Sequence, residues 1–396
     1  MKSKKISDIC DVMGGFAFQS SAMKSDKGRY QIIKMSNLYQ CTLDLDRNPS
    51  FLDEIEPRHN QYLLQEGDVL MTLTGTIGKK DYGYSVQIEK QKYLLLNQRV
   101  CLLRPKAENV NGYYLLQLLR SKKFLDQFFQ SSIGDTGNQS NVSITLLKDM
   151  TVVLPEIEDQ TAIADLLSTL DLAIEQTEQL IAAKEKQYTW LLSRLISNDK
   201  HPQGQIRNFA TEVSKRHSSA TINRVLSVTN NRGFVLPEDQ FARRVSSSDL
   251  SNYKVVTSGQ YAYNPSRINV GSIARLDNWD TGVLSPMYVV FKIDEQKANS
   301  DFFLHWLSSH EAKERISKSA QGSVRETVGF ADLGTIPFPL PSLNQQQTVA
   351  TTLNAAQKEI GLLKNQANAY RKQKRGLMQK LLTGQWRVKI SEEVEQ

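Results

Sequence analysis

Asn264-Pro265-Ser266-Arg267 resembles the start of the Asn-Pro-Pro-aromatic loop of amino-methyltransferases, but the second proline and the stacking ring are missing. No G-x-G cofactor loop precedes it. Gly75-Thr76-Ile77-Gly78-Lys79-Lys80 has glycine and lysine without the G-x-x-x-x-G-K-S/T spacing that wraps a phosphate. Glu295-Gln296-Lys297 fits the E-x-K part of a nuclease core, yet the strand-borne Asp is missing and a surface turn accounts for it better. His305 and His310 lie five apart on a predicted helix and so cannot share a face as metal ligands would. The chain carries no catalytic constellation and no cofactor or metal signature.

Chemistry that reads bases is better supplied. Arginine forks onto guanine O6 and N7, and Asn or Gln bridges adenine N6 and N7. The second half offers Arg224, Arg232, Arg243, Arg244, Asn264, Arg267, Asn269, Arg275 and Arg325, interleaved with Tyr253, Tyr261 and Tyr263. The first half offers Lys34, Asn37, Thr74, Lys79, Lys80, Gln98, Arg99, Asn138, Gln139 and Asn141. Any one of these is more commonly a solvated surface residue. As groups, the loops 74–80, 134–141, 264–275 and 322–325 are the candidates for DNA contact. A net charge of +7 and a pI near 9.1 agree with an acidic partner.

The elements that must position these loops are visible as a repeat. Aligning Leu154-Pro155 on Leu340-Pro341 sets a register of 340 − 154 = 186 residues, which holds without a gap through Leu195/Leu381. Apolar residues alternate at spacings of four and three: Ile163, Leu167, Leu170, Ile174, Ile181, Leu191 and Leu195, then Val349, Leu353, Ile360, Leu363, Leu377 and Leu381. Such a repeat predicts two coiled-coil helices, each about 60 Å long, whose seams bury on each other antiparallel. Lys184 and Lys374 fall on seam positions. Asn344 and Gln347 have capping-box spacing, and Gly384 suits a C-terminal cap. A seam facing a second copy of the chain is the competing arrangement.

The predicted fold is α+β and duplicated: a globular region over 1–155, a long helix over 156–198, a linker over 199–204, a second globular region over 205–341, a second long helix over 342–385 and a tail over 386–396. In the first region, Ile32-Ile33-Lys34-Met35, Val69-Leu70-Met71 and Val100-Cys101-Leu102-Leu103 predict strands, and residues 113–129 predict one amphipathic helix. The second region repeats the outline with little identity: Ser258-Gly259-Gln260-Tyr261-Ala262-Tyr263 answers Glu66-Gly67-Asp68-Val69-Leu70-Met71, and Phe302-Phe303-Leu304 answers Tyr113-Tyr114-Leu115. Similar helices with diverged globular regions point to a two-headed reader of an asymmetric target. Cys10, Cys41 and Cys101, without a C-x-x-C, argue against a disulfide framework or zinc ribbon. No stretch has the apolar length to span a bilayer, so no membrane association and a cytoplasmic location are expected.

In this order, Val153-Leu154-Pro155 and Pro339-Leu340-Pro341, Asp159-Gln160 and Gln345-Gln346 before Ile163-Ala164 and Val349-Ala350, and the Leu-rich helix ends resemble the specificity subunits of type I restriction-modification enzymes. The resemblance covers essentially the whole chain, with Glu66-Gly67-Asp68 and Asn264-Pro265-Ser266-Arg267 in the places of the family's recognition-domain signatures. One departure is Gln345 where the family's pair begins with an acid. The resemblance implies two target recognition domains, each reading one half of a split double-stranded DNA site. The helices would act as a ruler and as a platform for modification subunits, two of them expected. It implies no catalytic site and no cofactor in this chain. S-adenosylmethionine and ATP with Mg would be used by the modification and restriction/translocase partners. The competing functions are a coiled-coil adaptor without DNA specificity and an enzyme with a degenerate motif. Lys358, Lys364, Arg371, Lys372, Lys374, Arg375 and Lys380 give the last helix a basic face, either solvated or on phosphates.

Overall fold

The computed structural model describes residues 2–106, 109–134, 139–197, 201–217, 222, 224–239, 250–321 and 327–388. The helices that matter here are α1 (Gly112–Leu119), α2 (Lys122–Gln130), α3 (Ile157–Leu195), α4 (Ser300–Ser308), α5 (His310–Gln321) and α6 (Leu343–Leu381). The fold is α+β and divides into two compact units. One comprises Met1–Thr177 with Gln366–Gln396, the other Glu178–Asn365, so the division cuts each long helix near its middle.

The first unit is built on a four-stranded antiparallel sheet in the order Cys10–Gly14, Val100–Pro105, Val69–Thr72, Ser85–Gln87. The second unit has the same order in Ala210–Glu212, Val289–Ile293, Tyr261–Tyr263, Ile273–Arg275. The central strands Val69–Thr72 and Tyr261–Tyr263 follow the same turn: Gly67 (φ 90°) and Gly259 (φ 80°) take a left-handed conformation that a side chain would strain. Each globular region also ties its start to its end with a strand pair, Lys2–Lys5 on Thr151–Leu154 and Gln203–Gln205 on Pro337–Pro339. The duplication read from the helices therefore extends to the topology of the diverged regions.

Two expectations need correction. Residues 113–129 form two helices, because Arg120 caps α1 and the Ser121 side chain accepts from the Phe124 N–H to start α2. The start of α6 is capped by Ser342 with Gln345, not by Asn344 with Gln347. The Ser342 N–H donates to Gln345 Oε1 (3.2 Å) while the Gln345 N–H donates to Ser342 Oγ (3.4 Å). Gly384, at φ 76°, donates its N–H to Leu381 at the helix end.

The Gln of each Asp/Gln-Gln pair locks a long helix to its globular region. Fully buried Gln160 accepts from the Asn111 N–H (3.0 Å) and donates to the carbonyls of Asn109 (3.0 Å) and Pro155 (2.9 Å). Fully buried Gln346 accepts from the Asn299 N–H (2.8 Å) and donates to Pro341 (2.8 Å). Asn111 and Asn299 in turn cap α1 and α4. The first member of each pair, half-buried Asp159 or exposed Gln345, takes no part in these bonds, which is why the change there leaves this lock intact.

Of the seam residues, Ile163, Leu167, Leu170, Leu353, Ile360 and Leu381 are buried; Ile174, Ile181, Leu191, Leu195, Val349, Leu363 and Leu377 are half-buried. Within the first unit, Ile163 and Leu167 share a core with Leu377 and Leu381; within the second, Leu191 shares one with Val349 and Leu353. Chain direction is thus opposed in each helix pair. Near the ends burial moves one residue on, to Leu192, Ile196, Ala350 and Leu382, as a 3.6-residue helix drifts against a 3.5-residue repeat.

Each helix pair also contains a polar layer where it meets its globular region, and the repeat register relates the two. In the first unit Asp171 accepts from Lys374 Nζ (2.6 Å), Gln117 Nε2 (3.3 Å) and the Tyr113 hydroxyl. Adding 186 to 171 gives Gln357, and subtracting it from 374 gives Tyr188. In the second unit these two meet, Gln357 Nε2 donating to the Tyr188 hydroxyl (2.9 Å), which contacts His305 Nδ1 (2.9 Å). His305 Nε2 lies 2.8 Å from Asn354 Oδ1, and Asn354 donates to Asp301. The first junction joins the two helices by a part-buried ion pair, the second by neutral side chains, Gln357 and Tyr188.

Burial pushes the His305 pKa down, against smaller opposing effects of Asn354 and Asp301. As pH falls, the unfolded chain therefore takes up the proton first, near the ordinary histidine value of about 6.5. The contribution of His305 to stability is full above that pH and lost progressively below it. Denaturant midpoints for the second unit should drop between pH about 7.5 and about 5, and His305→Gln should flatten that dependence. Equal slopes for both proteins would count against this.

Candidate nucleic-acid interface

The structure joins two of the candidate loops of the first unit. Thr74–Thr76 pairs antiparallel with Gln139–Asn141, and Thr74 Oγ1 reaches Asn141 Oδ1 (3.2 Å). Beneath them the Tyr82 hydroxyl and Ser140 Oγ bond in the core (2.9 Å). Gln139 and Asn141 are exposed, as are Lys79 and Lys80 on the turn that continues from Thr76. The turn is held by Asp81, whose carboxylate accepts from the Thr76 N–H (2.7 Å) and Oγ1 (2.8 Å). These bonds hold its carboxyl below the usual carboxylate range, so it is ionised at neutral pH.

Asp81 also lines a cleft of about 520 Å³ that brings together Lys34, Gln98 and Arg99 with Tyr39 and Tyr84. Gln98 and Arg99 are exposed. Lys34 donates to Ser50 Oγ (2.8 Å). Eight of the first-unit candidates thus fall into a strand-and-turn surface and an adjoining cleft, linked through Asp81. Asn138 lies outside the described residues. Asn37 is corrected: it is fully buried, accepts from the Lys34 N–H (2.9 Å) and donates to the carbonyls of Asp44 (2.8 Å) and Arg47 (2.9 Å). Its amide organises the segment over the cleft and is not free for DNA.

In the second unit, Arg267 and Asn269 are exposed on the turn that precedes Ile273–Arg275. Asn264 closes that turn, its Oδ1 accepting from the Ser266 N–H (3.0 Å). Ser272 Oγ donates to Val228 (2.9 Å), so the hairpin carrying Arg232 is bonded to the same turn. The Val328 N–H donates to Pro265 (3.1 Å), which brings the chain just after 322–325 alongside. Arg243, Arg244 and Arg325 lie outside the described residues. Arg275 is a correction: Asp277 and Asp301 bind its guanidinium (2.7 Å each), and although burial lowers its pKa, Tyr261 and these acids together raise it. It ties the sheet to α4. Tyr261 and Tyr263 are fully buried core rings.

On the last helix, Lys364 pairs with Glu185 (2.7 Å), and Lys184 pairs back onto Glu359 (2.8 Å). With Lys374 on Asp171, some of the basic face is therefore matched to acids of α3. Sequence reasoning missed Tyr39, Tyr84, Asn97 and Asp81 in the cleft; nothing in the spacing distinguishes an exposed ring from a core ring. Among the described residues, no cluster of three or more His, Cys, Asp or Glu could hold a metal, and no helix is long and apolar enough to cross a membrane.

The model of the type I restriction modification DNA specificity domain matches residues 1–185 and 252–369. The provisionally named type I restriction enzyme MjaX specificity subunit of Methanocaldococcus jannaschii is 24% identical over 412 residues, covering 98% of this chain and 93% of that protein. The type I restriction enzyme EcoBI specificity subunit of Escherichia coli is 22% identical, covering 96% and 85%. The crystal structure of the type I restriction-modification S subunit from M. genitalium superposes with a TM-score of 0.62 at 14% identity, covering 96% and 95%.

Proposed function

Because the chain belongs to the type I restriction-modification DNA specificity family, we propose that its two globular regions each read one half of a split, asymmetric DNA site. The observation that carries this reading is the shared sheet order of the two units combined with unlike loop chemistry. The first presents Lys79, Lys80, Gln98 and Arg99; the second presents Arg267 and Asn269. Equal scaffolds with unequal reading groups suit two different short sequences. The long helices set the gap between the blocks and dock modification subunits, two of them by the approximate symmetry of the repeat. Methyl transfer from S-adenosylmethionine and ATP-driven restriction are the work of the partner chains, and the assembly acts in the cytoplasm.

Exchanging residues 205–341 for the equivalent region of a relative should change one block of the methylated motif and leave the other. A motif altered in both blocks, or in neither, would refute independent reading. Lysines at the turn should act through phosphates. Lys79→Ala with Lys80→Ala should weaken binding about equally on all sequences and reduce the slope of log K against log salt by about 1–2. A loss confined to the specific site would instead mean base contact.

A further inference from the structure

The cleft of the first unit has a construction that surface contact with a duplex does not need. Its volume, about 520 Å³, lies within the range of small-molecule pockets. One wall is the ring of Tyr39, 45% exposed although Arg47 stacks on it with its guanidinium carbon 4.2 Å from the ring centre. Tyr84 meets that ring edge-on at 5.9 Å, and burial raises the Tyr84 phenol. Met35 and the Thr72 methyl add apolar lining, while Ser36, Asn97, Gln98 and Arg99 supply donors and acceptors.

The Tyr39 wall is held in place at a cost. Gln40 (φ 53°) and Cys41 (φ 62°) follow it in the left-handed region, which side chains rarely occupy. Arg120 offsets this by donating to the Cys41 carbonyl (2.8 Å) and to Ser85 (2.6 Å). Buried Asn37 fixes the other end of the same segment. An aromatic wall held in place, with amide, guanidinium and ammonium groups in the same lining, is the kind of site that holds a base outside its stack; the one acid there, Asp81, is already bonded to Thr76. A phosphate alone would leave the ring and the apolar lining unused.

We propose that this cleft receives one unstacked nucleobase of the target DNA, lying on Tyr39 with its edge toward Asn97, Gln98 and Arg99. The proposal rests on the DNA-reading assignment above. The test uses the chain assembled with its modification subunits on its mapped target, with a photoreactive halogenated base at each position of the motif in turn. Cross-linked peptides are identified by mass spectrometry. One position should cross-link to Tyr39. Tyr39→Ala should abolish that product and weaken specific binding roughly 5- to 150-fold, the range spanned by base–aromatic stacking. Tyr39→Phe, which keeps the ring, should retain both. DNA bound and cross-linked only outside the cleft would overturn the cleft while leaving the DNA reading in place. Absence of any sequence-dependent binding would overturn both.

Discussion

Replacing Asp171 by alanine is expected to destabilise the first unit by about 2 kcal/mol, less than the cost of breaking a fully buried ion pair because the carboxylate itself is 36% exposed. Lys374 is the reason. Its side chain is only 14% exposed, and burial already pushes its pKa down against the opposing pull of Asp171. Without Asp171 the ammonium remains in that place with no anion, and the Tyr113 hydroxyl and Gln117 amide lose their acceptor as well. Lys374→Leu in the same chain should restore most of the loss, because two apolar groups replace a pair whose desolvation is expensive. Urea titrations of the single and double variants measure this directly. A single variant within about 1 kcal/mol of the parent would mean that the layer is solvated and not structural.

The second large effect concerns spacing. Inserting four residues into each long helix where the two units divide adds about one turn, roughly 6 Å, and keeps the seam face within about 40°. The non-specific gap should lengthen by one or two base pairs, at about 3.4 Å per pair, with both blocks unchanged. Insertion into one helix alone should lengthen it less cleanly, because the other seam stays fixed. An unchanged gap in methylation mapping would remove the ruler role from these helices.

How much of the fold is legible in the chain alone depends on whether the signal is periodic. The helices announce themselves, since a seam that must stay dry repeats at fixed spacing from Ile163 to Leu195 and again from Val349 to Leu381. Their expected bounds run over by a few residues, because frayed ends and linkers carry the same polar residues as the outer face. The break at Arg120 and Ser121 escapes notice because a serine cap between two apolar runs leaves the 3.6-residue pattern intact. Asn37 and Arg275 stand out by residue type, which says nothing of whether an amide or guanidinium already has its partners. Tyr39 is invisible for the opposite reason: an aromatic residue in a strand-rich region is normally core, and only its surroundings show it at a cleft. The acid lost at Gln345 has no readable consequence, and the structure shows why: the buried neighbour Gln346 holds the helix instead.

The central claim, two unlike readers held by one pair of helices, is tested most directly by sequencing the methylome of a host expressing this chain with its modification subunit. The account predicts a single asymmetric motif of two short blocks separated by an invariant run of unread bases. Methylation over one continuous block, or with no dependence on sequence, would contradict it.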